Sequence, residues 1–160
     1  MNKTLQQIRQ ILMQNDQDQI LTLAKKNKRI LSYLTALTYD PEDLVAWRAI
    51  SALGTAASWF AVHDLEHLRI HLRRLMWLLN DESGGIGWRA PEAMGEIISA
   101  CPQHLGEFIP ILVSVLDMEP EDAPPFRAGA LWAIGRLAQV VPQALTDAVP
   151  KILPYLSDPN

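Results

Sequence analysis

The strongest constraint on this chain is an internal repeat of about forty residues. Three segments align on a glycine: Val45–Gly54, Ile86–Gly95 and Phe126–Gly135. In each, the residue nine before the glycine is large and apolar (Val45, Ile86, Phe126) and alanine stands five before (Ala49, Ala90, Ala130). Alanine returns two before the glycine (Ala52, Ala93, Ala133), followed by a large apolar residue (Leu53, Met94, Ile134). With 3.6 residues per turn, these offsets fall on one helical face. A mid-helix glycine costs about 1 kcal/mol relative to alanine, so its return suggests close helix packing as compensation.

A second string recurs after the last two glycines. Cys101-Pro102-Gln103-His104-Leu105 matches Val141-Pro142-Gln143-Ala144-Leu145, and Pro110 and Leu116 match Pro150 and Leu156. These segments predict partner helices over 103–117 and 142–157. Pro102 and Pro142 suit helix starts, whereas Pro110 and Pro150 should bend the helix. Turns are expected at Tyr39–Asp43, Asn80–Gly85 and Asp117–Pro125, rich in Asp, Gly and Pro. No stretch alternates well enough to predict a strand. The pattern predicts an all-α right-handed α-solenoid, or α-α superhelix, of about eight or nine helices stacked as antiparallel pairs.

At this point the chain resembles the HEAT-repeat family, including its short bacterial HEAT-like members and their armadillo-type relatives. The resemblance rests on the Ala–x₂–Ala–large–Gly string, the Asp-containing turn and the proline in the first helix. It covers roughly residues 28–160 and implies a fold rather than an activity, because the family shares no catalytic residues. Arg127 after Phe126 fits the family's Val-Arg start; Ala46 and Gly87 depart from it, with Arg48 and Arg89 two residues on.

The expected organisation is a single domain over 1–160. Repeats span 28–62, 63–101 and 102–140. Degenerate capping helices occupy 1–27 (residues 4–14 and 16–26), and a terminal half repeat occupies 141–160. The length of 160 residues suits one domain, and 49% apolar with 20% charged residues argues against disorder. No apolar run reaches the ~20 residues of a membrane span, and the Gln-rich start has no signal-peptide core. These features predict a cytoplasmic protein that does not engage a membrane. Cys101 is the one cysteine, which excludes an internal disulfide and a Cys-based zinc site. Its repeat equivalents, Phe60 and Val141, predict a buried apolar slot.

A candidate partner-binding strip comes from the tryptophans. Trp47 and Trp88 share one repeat position; Trp132 lies one helical turn further along. The resemblance places such second helices on a concave surface, where Arg48, Arg89, Glu92 and Arg127 would surround the rings. Trp and Arg are favoured anchors of protein partners. The competing reading packs these rings between repeats. Trp59 and Trp77 are expected in the core.

His63, His67 and His71 are spaced by four, but the outer two stand ~12 Å apart along a helix at ~1.5 Å per residue. That is too far for one metal ion without ligands from another helix. The repeated His-Glu dipeptides of di-iron HEAT enzymes such as deoxyhypusine hydroxylase are absent. No phosphate loop or nucleophile elbow occurs. The expectation is therefore no catalytic residues, no metal and no cofactor.

The net charge of −4 argues against nucleic acid as a partner, since phosphate contacts need a basic surplus. The run Lys25-Lys26-Asn27-Lys28-Arg29 reads either as an anion patch or as a solvated helix end. A protein-interaction or scaffold module is the function these features favour. Bilin-lyase-like ligand handling and HEAT-like DNA-glycosylase-type binding are alternatives by fold analogy alone.

Overall fold

The computed structural model describes residues 3–79, 89–118 and 124–157. The turn expected at Asn80–Gly85 and part of that at Asp117–Pro125 lie outside the described residues, as does Trp88. All regular structure among the described residues is helical, with no strand. The chain forms two compact units, Met1–Arg74 and Leu75–Asn160.

The first unit is built around α4 (Asp43–His63), against which α1 (Lys3–Gln14), α2 (Gln17–Lys26) and α3 (Ile30–Leu37) all pack. Its alanines make this possible. Ala46, Ala49, Ala52, Ala56 and Ala57 are buried, as is Gly54, and the larger Val45, Ile50, Leu53 and Phe60 fill the space between neighbours. Facing them are Ile8, Ile11 and Leu12 of α1, Ile20 of α2, and Leu31 and Leu34 of α3. Asn15 adopts a left-handed conformation (φ 57°), which asparagine tolerates, and ends α1. Asp16 then caps α2 by accepting from Gln19 N–H at 2.9 Å.

Two polar ties fix the first unit. Arg9 donates from Nε and Nη2 to both carboxylate oxygens of Asp40, at 2.8 and 3.1 Å. Asp40 also accepts from Glu42 N–H at 3.0 Å, so α1 is tied to the turn that starts α4. The Arg9 guanidinium holds the Asp40 carboxyl below its ordinary range. Lys28 pairs with Asp64, and Lys25 and Lys26 lie in the last turn of α2, where cations offset the helix dipole.

α5 (Leu65–Leu78) carries the boundary between the units. Leu68, Leu72, Leu75 and the adjoining Leu79 form its buried stripe. Trp77 falls two residues off that stripe and is 72% exposed, so it is not a core residue as its type suggested. Trp59 is half-buried, with its ring stacked on His63 at 4.4 Å between centroids.

In the second unit α6 (Ala90–Ala100) is buried almost all round, as a central helix should be. Its most extensive neighbour is α9 (Pro124–Ala138). The seam between them is set by Gly95: a Cβ there would stand 2.5 Å from Ala133 Cβ and 2.8 Å from Ala133 Cα. Only a hydrogen fits, and the helix backbones approach accordingly.

The partner segments differ from the single bent helices expected over 103–117 and 142–157. The first divides into α7 (Pro102–Leu105), a 3-10 turn Gly106–Phe108, α8 (Ile109–Ser114) and a second 3-10 turn Val115–Asp117. The second is 3-10 over Pro142–Ala148, α-helical only in α10 (Val149–Ile152), and 3-10 again over Leu153–Ser157. Each internal proline lacks an N–H and clashes with the preceding turn, so it restarts the helix rather than bending it. Leu105, Phe108, Leu112 and Leu145 still reach the core.

Candidate partner-binding surface

The expected strip residues occupy different environments, beginning with the first unit. Trp47 on α4 is 37% exposed, on a helix that also exposes Leu44, Ser51, Ser58 and Val62. Arg48, the next residue, turns toward α1. Its Nη1 donates to Leu12 O at 3.0 Å and Met13 O at 2.7 Å, satisfying carbonyls at the end of that helix. Arg48 is thus engaged inside the unit as a helix-end cap.

In the second unit Trp132 on α9 is also 37% exposed. Glu92 on α6 is only 7% exposed and lies in the interior. Gly129 makes room for it: a Cβ there would stand 2.4 Å from Glu92 Oε2 and 2.7 Å from Cδ. Arg48 and Arg89 hold the equivalent position in the other repeats, so the glycine answers to Glu92 and not to the repeat. Glu92 Oε2 has no hydrogen-bond partner among the described residues, and Arg89 Nη1 comes to 3.9 Å from Oε1. Burial pushes the Glu92 carboxyl above its ordinary range, and the Arg89 charge only partly opposes this.

Arg127 on α9 is half-buried; its guanidinium sits 5.2 Å from the centroid of the Tyr155 ring, a cation–π contact. Its Nε is buried without a hydrogen-bond partner among the described residues. Tyr155 in turn donates to Leu116 O at 3.4 Å. The second unit thereby joins Arg89 to Glu92 and Arg127 to Tyr155.

The three histidines of the 63–71 run separate. His63 Nδ1 donates to Trp59 O at 2.8 Å, and His67 Nε2 donates to Lys28 O at 3.1 Å. His71 is buried and hydrogen-bonded to Thr35 Oγ1 at 2.9 Å. Desolvation, with lesser repulsion from His67 and Arg74, lowers its pKa to about 4. Among the described residues no three His, Cys, Asp or Glu side chains gather as a metal-binding group. Cys101 fills the buried slot expected of it, and burial pushes its thiol up to about 11. No helix among the described residues is long and apolar enough to cross a membrane.

Sequence reasoning missed several exposed apolar features. Trp77 is one, and the register of the α5 leucines would have revealed it. Val62 on α4, 80% exposed, is another, as is the open face of α9 around Gly135, where an added Cβ would meet nothing within 4 Å.

Comparison with known proteins places a short region. Residues 124–160 match the HEAT-like repeat family. An uncharacterized protein of Archaeoglobus fulgidus is 31% identical over 121 residues, which cover 76% of this chain and 61% of that protein. The chain therefore spans less than two thirds of that relative's length. No solved structure matches.

Proposed function

We propose that this chain is a non-catalytic helical-repeat module of the HEAT type that recognises a protein partner. The helical stacking in each unit and the HEAT-like match over 124–160 support the architecture. The observation that carries the recognition role is the partial exposure of Trp47 and Trp132 on α4 and α9. A half-exposed tryptophan offers a large rigid apolar surface at low entropic cost, and such residues dominate interface energetics.

Trp47 in the first unit and Trp132 in the second are the anchors in this reading, with Trp88 and Arg89 continuing the repeat positions between them in sequence. Arg48, Glu92 and Arg127 hold the anchors' surroundings in shape. They do so from within: Arg48 through the end of α1, Glu92 over Gly129, and Arg127 over Tyr155.

The test is affinity capture with the wild-type chain and a Trp47→Ala/Trp132→Ala variant, followed by titration of the captured protein against both. Circular dichroism should show unchanged helicity. Loss of the partner by the double variant is expected, by at least about tenfold if each ring acts as an anchor. Equal affinity contradicts the proposal.

A further inference from the structure

One line of residues on α4 is left exposed or half-buried along the whole helix. Leu44, Trp47, Ser51, Thr55, Ser58 and Val62 recur at intervals of three and four, so they share one face. The line runs ~27 Å at ~1.5 Å per residue. Leu44, Trp47 and Val62 are 52%, 37% and 80% exposed, while other sides of the helix pack on α1, α2 and α3. The line carries no charge. Two hydroxyls in its middle are already used within the chain: Ser58 donates to Gly54 O at 3.0 Å and Thr55 to Gln17 Oε1 at 2.7 Å.

The charges lie beyond its two ends and differ in sign. Gln17, which starts α2, meets Thr55, and Lys28, just past the end of α2, pairs with Asp64, just past α4. The two helices thus run parallel and finish at one edge, which brings Lys25, Lys26 and Arg29 to the Val62 end. All three are exposed, and no carboxylate pairs with them among the described residues. The acids at that edge are taken, Asp64 by Lys28 and Glu66 by Arg73. At the Leu44 end stand Glu42 and Asp43, both exposed, while Arg9 is bound to Asp40 and Arg48 caps α1.

We infer that this face takes an amphipathic helix of the protein partner, antiparallel to α4, with an acidic first turn over Lys25, Lys26 and Arg29. The inference rests on the reading of Trp47 as an anchor and names the kind of segment it holds. Side chains spaced by three and four accept the matching stripe of a second helix, as in groove-bound helical peptides. The cations fix its direction. A helix favours acids in its own first turn and bases in its last, where they offset its dipole. Laid antiparallel, such a helix meets opposite charge at both ends: cations at its first turn, Glu42 and Asp43 at its last. Laid parallel, it meets like charge at both. A nucleic acid suits this face less, because phosphate contacts need cations along the strand and here they gather at one end.

Anisotropy titration of the whole chain with fluorescent helical peptides of about 18 residues tests this. The first peptide has a leucine stripe, glutamates in its first turn and lysines in its last. The second exchanges those charges, and the third keeps them but scrambles the stripe. A single-stranded oligonucleotide serves as a plain polyanion. The first peptide should bind at least about tenfold more tightly than each of the others. Lys25→Glu/Lys26→Glu should reverse the order of the first two peptides. Val62→Glu, at an exposed position, should weaken the first by a similar factor, with helicity unchanged in both variants. Indifference to charge order overturns the inference. So does tighter binding of the scrambled peptide or the oligonucleotide, or no binding of the first peptide. Should the Trp47→Ala/Trp132→Ala variant lose its captured protein while the first peptide fails to bind wild type, the helix is refuted and the recognition reading stands.

Discussion

Two buried titratable side chains leave opposite signatures on stability. Glu92 is held protonated more readily in the folded chain than in the unfolded one, because its carboxylate is desolvated over Gly129. Its burial penalty is absent below the ordinary carboxyl value of 4.5 and grows as pH rises through the raised folded value. Glu92→Gln should therefore stabilise the protein at neutral pH in urea unfolding, with the gain fading as pH falls to the ordinary carboxyl value.

His71 works the other way. Its pKa falls from 6.5 to about 4 on folding, so the unfolded chain binds the extra proton and stability is lost as pH drops across that window. His71→Gln should flatten the dependence of Tm on pH between those values, removing a loss on the order of 3 kcal/mol. An unchanged slope would show that His71 is not the group responsible. Neither burial was legible beforehand. The sequence pattern marks which face a residue occupies, but not whether a facing glycine has opened space for a carboxylate, as Gly129 does.

Among the elements, α4 and α6 were the most legible, because alanine spacing and apolar spacing agree on one face and leave no competing assignment. The segments after them were less so. Their apolar pattern persists through Pro110, Pro150 and Pro154, which suggests continuous helices, yet each proline forfeits a hydrogen bond and resets the turn. Side-chain periodicity reports the buried face; it does not report whether the backbone bonds close at four residues or at three. The stripe of α5 illustrates the converse. Leucines at 68, 72, 75 and 79 fix the buried side, and Trp77 is left outside it despite its size. Two aromatic truncations separate these cases. Phe60→Ala, at a fully buried position on α4, should cost about 3–5 kcal/mol in urea unfolding. Trp77→Ala should change stability by no more than about 0.5 kcal/mol.

For the whole molecule, the forty-residue repeat pointed to an all-α fold of packed helices, as found, and the HEAT-like match over 124–160 spans part of the expected third repeat and the terminal half repeat. Repetition of sequence is not repetition of environment, however. Gly95 and Gly135 hold one position in successive copies, and one is filled by Ala133 while the other opens onto an unoccupied groove. Which glycine is enclosed depends on what packs beside it, and a single helix pattern does not carry that.

The most direct measurement is urea unfolding of Gly95→Ala and Gly135→Ala. Gly95→Ala forces a Cβ against Ala133, including its backbone, and should destabilise by about 1–3 kcal/mol. Gly135→Ala adds a methyl group to open space in a helix and should stabilise by up to about 1 kcal/mol. Opposite signs are expected if successive helices of the repeat stack through glycine-lined seams. Equal changes of the same sign would contradict it.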